Sequence, residues 1–133
     1  GGRVAAITPA WWKAERLVKA GQPLEAVRVL REHLATHPKQ WAAAVRIAEI
    51  YDRDLKDALS AALEYEALMN QRLPKSARAE ILLRLAACDL VRHRADDSVV
   101  RLKQVIAEFP GTAAAEKAAR RLARIEQPMK TSG

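Results

Sequence analysis

The sequence predicts an all-α fold of about seven helices arranged as a solenoid, and three observations predict it. Pro38, Pro74 and Pro110 fall 36 residues apart, each closing an amphipathic stretch, and a period of that size belongs to stacked helical hairpins. Apolar residues recur at intervals of three and four, which gathers them on one face of a helix. Alanine and leucine dominate while aromatic residues are 5%, so helix propensity is favoured and no sheet is expected.

The elements follow from the apolar stripes and the breakers between them. A first helix is expected over 9–20, stopped by Gly21-Gln22-Pro23. A second, over 23–36, carries Val27, Leu30 and Leu34, and a third, over 40–52, carries Ala44, Ile47, Ala48 and Tyr51. The run Asp52 to Asp54 separates it from a fourth over 56–72, with Ala58, Ala61, Tyr65, Leu68 and Met69 on one face. The fifth, over 76–92, aligns Leu82, Leu85, Ala86 and Leu90, and the sixth, over 96–109, aligns Val99, Leu102, Ile106 and Phe109. Arg92 to Arg94 lie between them.

Proline cannot continue a helix and restricts the residue before it, so each repeating proline ends a helix pair. Six helices are therefore expected as three antiparallel hairpins. A seventh, over 112–126, presents Ala115, Ala118, Leu122 and Ile125 to cap the last hairpin, because terminal units of a solenoid need a polar outer surface. Thr112 is its expected N-cap and Glu116 lies in the first turn, where the helix dipole favours negative charge. Residues 1–8 are expected as a flexible lead, 9–126 as one domain, and 127–133 as a disordered tail. A chain of 133 residues can bury a helical core of this kind without a disulfide or structural metal.

The stretch Gly21-Gln22-Pro23-Leu24-Glu25-Ala26-Val27, followed by Leu30, Leu34 and Pro38, resembles the second half of a tetratricopeptide (TPR) repeat. The glycine of that family's turn, the small residue opening its second helix and its closing proline correspond to Gly21, Ala26 and Pro38. Ala86, Ser98, Leu102, Ile106 and Pro110 take corresponding places in the third unit; Ala48, Tyr51, Ala61, Tyr65 and Pro74 do so in the second, with inserted residues. Small side chains let two helices approach closely while larger ones fill the gap to the next unit.

The chain departs from the family where Asp54-Leu55-Lys56 replaces the turn glycine, and where Ala10 and Ala44 replace an aromatic residue early in the first helix. It resembles a divergent array of the bacterial type, and Glu108-Phe109-Pro110-Gly111-Thr112 with the basic helix after it is similar to repeats of bacterial envelope and cell-division scaffolds.

The resemblance, over residues 7 to 126, implies a right-handed solenoid serving as a protein–protein interaction scaffold rather than an enzyme. It implies that first helices line a concave groove, exposing Trp11, Glu15, Lys19, Val45, Glu49, Arg53 and Arg84 to a peptide or partner protein. The family's clamp for a C-terminal carboxylate places Lys and Asn where this chain has Trp11 and Glu15, so a different peptide is expected.

Residue chemistry adds no catalytic assignment. His33 and His37 stand four apart, a spacing that can put two imidazoles on one metal, but no third ligand follows and no metal or cofactor is assigned. His93 is flanked by Arg92 and Arg94 and reads as a solvated loop residue. Asp96 and Asp97 read as capping residues at the start of the sixth helix, since adjacent residues point in different directions. Cys88, the single cysteine, cannot form an intrachain disulfide, and its apolar flanks predict burial. Of the tryptophans, Trp11 is read as the one partly exposed for a partner, with Trp41 packed at the start of the third helix.

The 23 Lys and Arg against 16 Asp and Glu give a net charge of +7, which raises the prior for anionic partners. The excess is densest at Lys117, Arg120, Arg121 and Arg124, a stripe at helical spacing. It supports an alternative reading, a basic module binding RNA or another polyanion. No apolar run is long enough to span a bilayer, so no membrane insertion is expected. The compartment stays open between cytoplasm and periplasm, with an upstream anchor compatible with a start at Gly1-Gly2-Arg3. A monomer or weak homo-oligomer is expected.

Overall fold

The computed structural model describes residues 8–127. Of the expected lead 1–8 and tail 127–133, only Thr8 and Gln127 are among them, and Thr8 belongs to the start of a helix. The described residues form seven α-helices and no strand: α1 (Pro9–Lys19), α2 (Pro23–Thr36), α3 (Trp41–Glu49), α4 (Ala58–Leu68), α5 (Lys75–Val91), α6 (Ala95–Glu108) and α7 (Ala113–Glu126). The chain divides into two compact units, Gly1–Arg72 and Leu73–Gly133.

In the first unit α1 packs on α2, α2 on α3, and α3 on α4. Thr8 opens α1, its Oγ1 accepting from the Trp11 amide at 3.2 Å, and Pro9 stands at the first helical position, where its missing N–H would have had no partner anyway. The core gathers Ala14 from α1, Ala26, Val27 and Leu30 from α2, and Ala43, Ile47 and Ile50 from the third element, with Trp11, Leu17, Val18, Leu34, Tyr51 and Leu55 packed against it. Burying each of the large aliphatic side chains contributes roughly 1.5–3 kcal/mol relative to leaving it in water.

The third helix does not end as the periodicity predicts. After Glu49 the backbone widens into a π-helical turn, Ile50–Asp54, in which the Leu55 amide reaches the Ile50 carbonyl at 3.0 Å and the Asp57 amide the Tyr51 carbonyl at 2.8 Å. One extra residue has been accommodated inside the helix, as such turns do. The comparable closures of α1 and α5 are one residue shorter, from the Gln22 amide to Leu17 (2.8 Å) and from the Arg94 amide to Asp89 (2.7 Å). The α4 helix in turn stops at Leu68 rather than near 72, because the amides of Asn70 and Gln71 turn back on Ala67 and Leu68 in tighter bonds.

Three turns share one geometry. Gly21, Lys56 and His93 all have positive φ, at 78°, 53° and 60°, the left-handed position that closes a helix. Each is followed by an N-cap of similar conformation: Gln22, Asp57 and Arg94. Four residues on come Ala26, Ala61 and Ser98, and four further Leu30, Tyr65 and Leu102, all buried. The departure at Asp54-Leu55-Lys56 is thus absorbed by the π turn, and Lys56 takes the backbone position of a glycine.

In the second unit α5 packs on α6, and α7 packs on α6 and α5. Ile81, Leu82, Leu83, Leu85, Ala86 and Cys88 of α5 are buried, with Ser98, Leu102 and Val105 of α6. The Ser98 hydroxyl donates to the Ala86 carbonyl at 2.8 Å, so a small polar side chain ties the two helices at a crowded crossing. Thr112 caps α7 through its Oγ1, which accepts from the Ala115 amide at 3.1 Å, and Glu116 lies in the first turn. Among the described residues no helix is long and apolar enough to cross a membrane.

Candidate functional site

Of the residues expected in a groove, six lie in the first unit: Trp11, Glu15 and Lys19 on α1, Val45 and Glu49 on α3, and Arg53 in the π turn. Three of their four charged side chains, Glu15, Glu49 and Arg53, are held in ion pairs. Arg46, which the sequence did not single out, reaches from α3 to α1 and grips Glu15 with two bonds, Nε to Oε1 at 2.5 Å and Nη2 to Oε2 at 3.1 Å. Arg46 also lies 3.7 Å from Glu49, which in turn lies 3.7 Å from Arg53. The Glu15 hydrogen bond raises the Arg46 guanidinium above its ordinary value. A two-pronged arginine–carboxylate pair has fixed geometry as well as energy, so this face is a neutralised lattice rather than a charged trap.

The tryptophans differ from expectation. Trp11 is half-buried against the first-unit core, whereas Trp12 is 55% exposed. The signal was present in the sequence: Trp11 stands three residues before Ala14 and shares its face, while Trp12 points away. Trp41 is half-buried at the start of α3. Other large apolar side chains face water, notably Leu24 on α2 and the pair Leu59 and Leu63 one turn apart on α4. Their exposure was not legible in the sequence, because a single exposed leucine carries no signal.

One further reading changes. Asp96 and Asp97 lie in the first turn of α6 but make no capping bond; the N-cap is Arg94, which lies 3.6 Å from Asp97. The carboxylates there favour the positive helix end electrostatically instead. The His33 and His37 rings stack face to face, centroids 4.3 Å apart, with His33 Nε2 toward Gln40 Oε1 and His37 Nδ1 toward Thr36 and the His33 carbonyl. The two imidazoles are held by neighbours on and beside α2 rather than converging on a shared point. Cys88 is buried, as its flanks predicted.

In the second unit, Arg84 of α5 is half-buried with its Nε 3.3 Å from Glu80 Oε1. The α7 stripe is largely open. Lys117, Arg120 and Arg124 are exposed, and Arg121 is half-buried with Nη1 3.5 Å from the Leu83 carbonyl. Arg121 and Arg124 stand at the rim of a cavity of about 200 Å³ whose other walls are Ala86, Ala87, Leu90, Ser98, Leu102 and Ile125. α5 contributes Ala86, Ala87 and Leu90 to its walls, α6 Ser98 and Leu102, and α7 Ile125 with the two arginines.

No protein-family model matches the chain, and no curated protein matches it significantly.

Proposed function

We propose that the chain is a non-catalytic, TPR-like interaction module, part of a right-handed solenoid, that binds a peptide or helix of a partner protein. The observation that carries this reading is the set of large apolar side chains held in water on regular helix faces. Leu59 and Leu63, 49% and 57% exposed, stand four apart on α4 and so form one apolar ridge. Trp12, on α1, is the kind of side chain that anchors interfaces. The shared geometry at Gly21, Lys56 and His93 supports a repeating scaffold, in which outer faces are free to vary while the hairpin turns are kept.

A display selection of random peptides on the purified protein tests it. Enriched peptides should bind in solution and lose about tenfold or more in affinity with Leu63→Asp or Trp12→Ser. Failure to enrich any sequence, or binders indifferent to both substitutions, would remove the apolar faces as the basis of the reading.

One observation favours a second reading, a polyanion-binding module. Lys117, Arg120 and Arg124 make no ion pair among the described residues, unlike the α1–α3 face. Binding of single-stranded RNA through these three residues requires log affinity to fall with log salt at a slope of about −2, near −0.7 per contact. A flat salt response would exclude it.

A further inference from the structure

Of three depressions among the described residues of the second unit, the Arg121–Arg124 cavity is the one whose lining has a single sign of charge. The wider hollow between the N-terminal ends of α5 and α7 is lined by Lys75, Glu80 and Glu108 and favours neither sign. The turn hollow at His93 to Asp97 carries Arg94, Asp96 and Asp97 and is equally mixed. By contrast, the lining of the Arg121–Arg124 cavity contains six uncharged residues, two guanidiniums and no carboxylate. Asp89, the nearest acid on α5, is buried and turned to Arg101 at 2.7 Å, and the Ser98 hydroxyl is already donated to Ala86. The floor therefore offers apolar contact, and the polar character of the site comes from its rim.

We infer that this cavity takes an apolar side chain of a partner peptide whose neighbouring carboxylates lie on Arg121 and Arg124, an acidic–apolar motif. The inference rests on the interaction-module reading and names the peptide chemistry and a second contact face for it. The volume fits: an engineered apolar cavity of about 150 Å³ takes a benzene ring, so about 200 Å³ receives one leucine- or phenylalanine-sized group. The charge fits as well. Arg124 is exposed and Arg121 uses one of its five N–H donors on the Leu83 carbonyl, which leaves both forks able to engage carboxylates. Arg120 and Lys117 continue the same face of α7 over about 10 Å, at 1.5 Å per residue, extending the rim for further acids. An apolar floor favours a side chain over a sugar–phosphate chain, and this separates the motif from a nucleic acid.

Fluorescence anisotropy with labelled probes tests the assignment on the full chain. The probes are acetyl-Glu-Glu-Leu-Phe-Glu-Glu-amide, the same peptide with Gly-Gly at its centre, and an oligouridylate of matching charge. The Leu-Phe peptide should bind about tenfold or more tighter than either control at low salt, and Ala87→Trp, which closes the mouth from an exposed position of α5, should weaken it by a similar factor. Arg124→Glu, on the exposed face of α7, should do the same, with helicity by circular dichroism unchanged in both variants. Equal binding of the Gly-Gly peptide, tighter binding of oligouridylate, indifference to Ala87→Trp, or no binding at all would each overturn the assignment. Any of these results, obtained while display-selected peptides still bind and depend on Leu63, would leave the module reading standing and remove this site alone.

Discussion

Asp89 of α5, fully buried in the second unit, is paired with Arg101 of α6, whose Nε lies 2.7 Å from Oδ2. The two partners are not equivalent, because the Asp89 side chain is 2% exposed while that of Arg101 is 24% exposed. Removing the arginine strands a carboxylate that water cannot reach. Removing the carboxylate leaves a guanidinium that can swing toward solvent on a flexible stem. Arg101→Met is therefore expected to destabilise by about 3–5 kcal/mol, the range for breaking a buried pair, and Asp89→Asn by clearly less. Urea unfolding of both variants checks the order; equal losses would mean that Arg101 is as trapped as its partner.

The left-handed turns give a prediction of opposite sign. Lys56 and His93 hold φ of 53° and 60°, a conformation that costs a residue with a Cβ about 1 kcal/mol or more. Lys56→Gly and His93→Gly should each stabilise the chain by up to about 1 kcal/mol, reduced by the greater freedom of glycine when unfolded. Gly21→Ala should do the reverse. An added Cβ there meets nothing within 4 Å, so its cost is backbone strain alone. The checks are the shifts in urea midpoint, and a loss of stability in Lys56→Gly would show that its side chain contributes more than its backbone costs.

These turns also mark what could be read from sequence. Helix number, the hairpin pairs and the cap at Thr112 were legible because apolar spacing, proline and capping residues act locally. The π turn at Ile50–Asp54 was not, since an inserted residue inside a helix leaves the same residue types on either side. Arg46 was missed because its partner Glu15 lies on another helix, and no period relates the two. The burial of Asp89 was not legible either, since it depends on Arg101 arriving from α6. The exposure of Trp12 rather than Trp11 was misread, although the spacing of Trp11 to Ala14 carried it.

Asp57 provides the pH dependence. Its carboxylate accepts from the Ser60 amide at 3.0 Å and the Ser60 hydroxyl at 2.7 Å, and these bonds to the charged form hold its pKa below the ordinary value. A depressed folded pKa gives stability that is present above the unfolded value, near pH 4, and lost as the pH falls through the folded value. Glu25, lowered by its hydrogen bond to Arg28, acts in the same direction. Asp57→Asn keeps a capping oxygen but should flatten the acid side of the stability profile. Denaturation midpoints at several pH values below 5 compared with those at neutral pH distinguish the two; identical acid slopes in wild type and variant would exclude Asp57 as a contributor.

Trp12 and Trp11 are adjacent in sequence and differ in surroundings, and emission can separate them. Trp12, 55% exposed, should be the tryptophan most accessible to a collisional quencher such as iodide, so Trp12→Phe should lower the quenching slope more than Trp11→Phe does. Stability should divide the other way. A substitution at an exposed position without buried partners stays within about 0.5 kcal/mol, so Trp12→Ser should be nearly neutral. Trp11 packs against a core of Ala14, Leu30 and Ile47, and Trp11→Ala should cost roughly 2–3 kcal/mol, below the range for a fully buried tryptophan because part of the ring already meets water. A bound peptide that covers Trp12 should then shift the emission to the blue and protect it from iodide, an effect absent in Trp12→Phe. Protection that persists in that variant would place the peptide on another face.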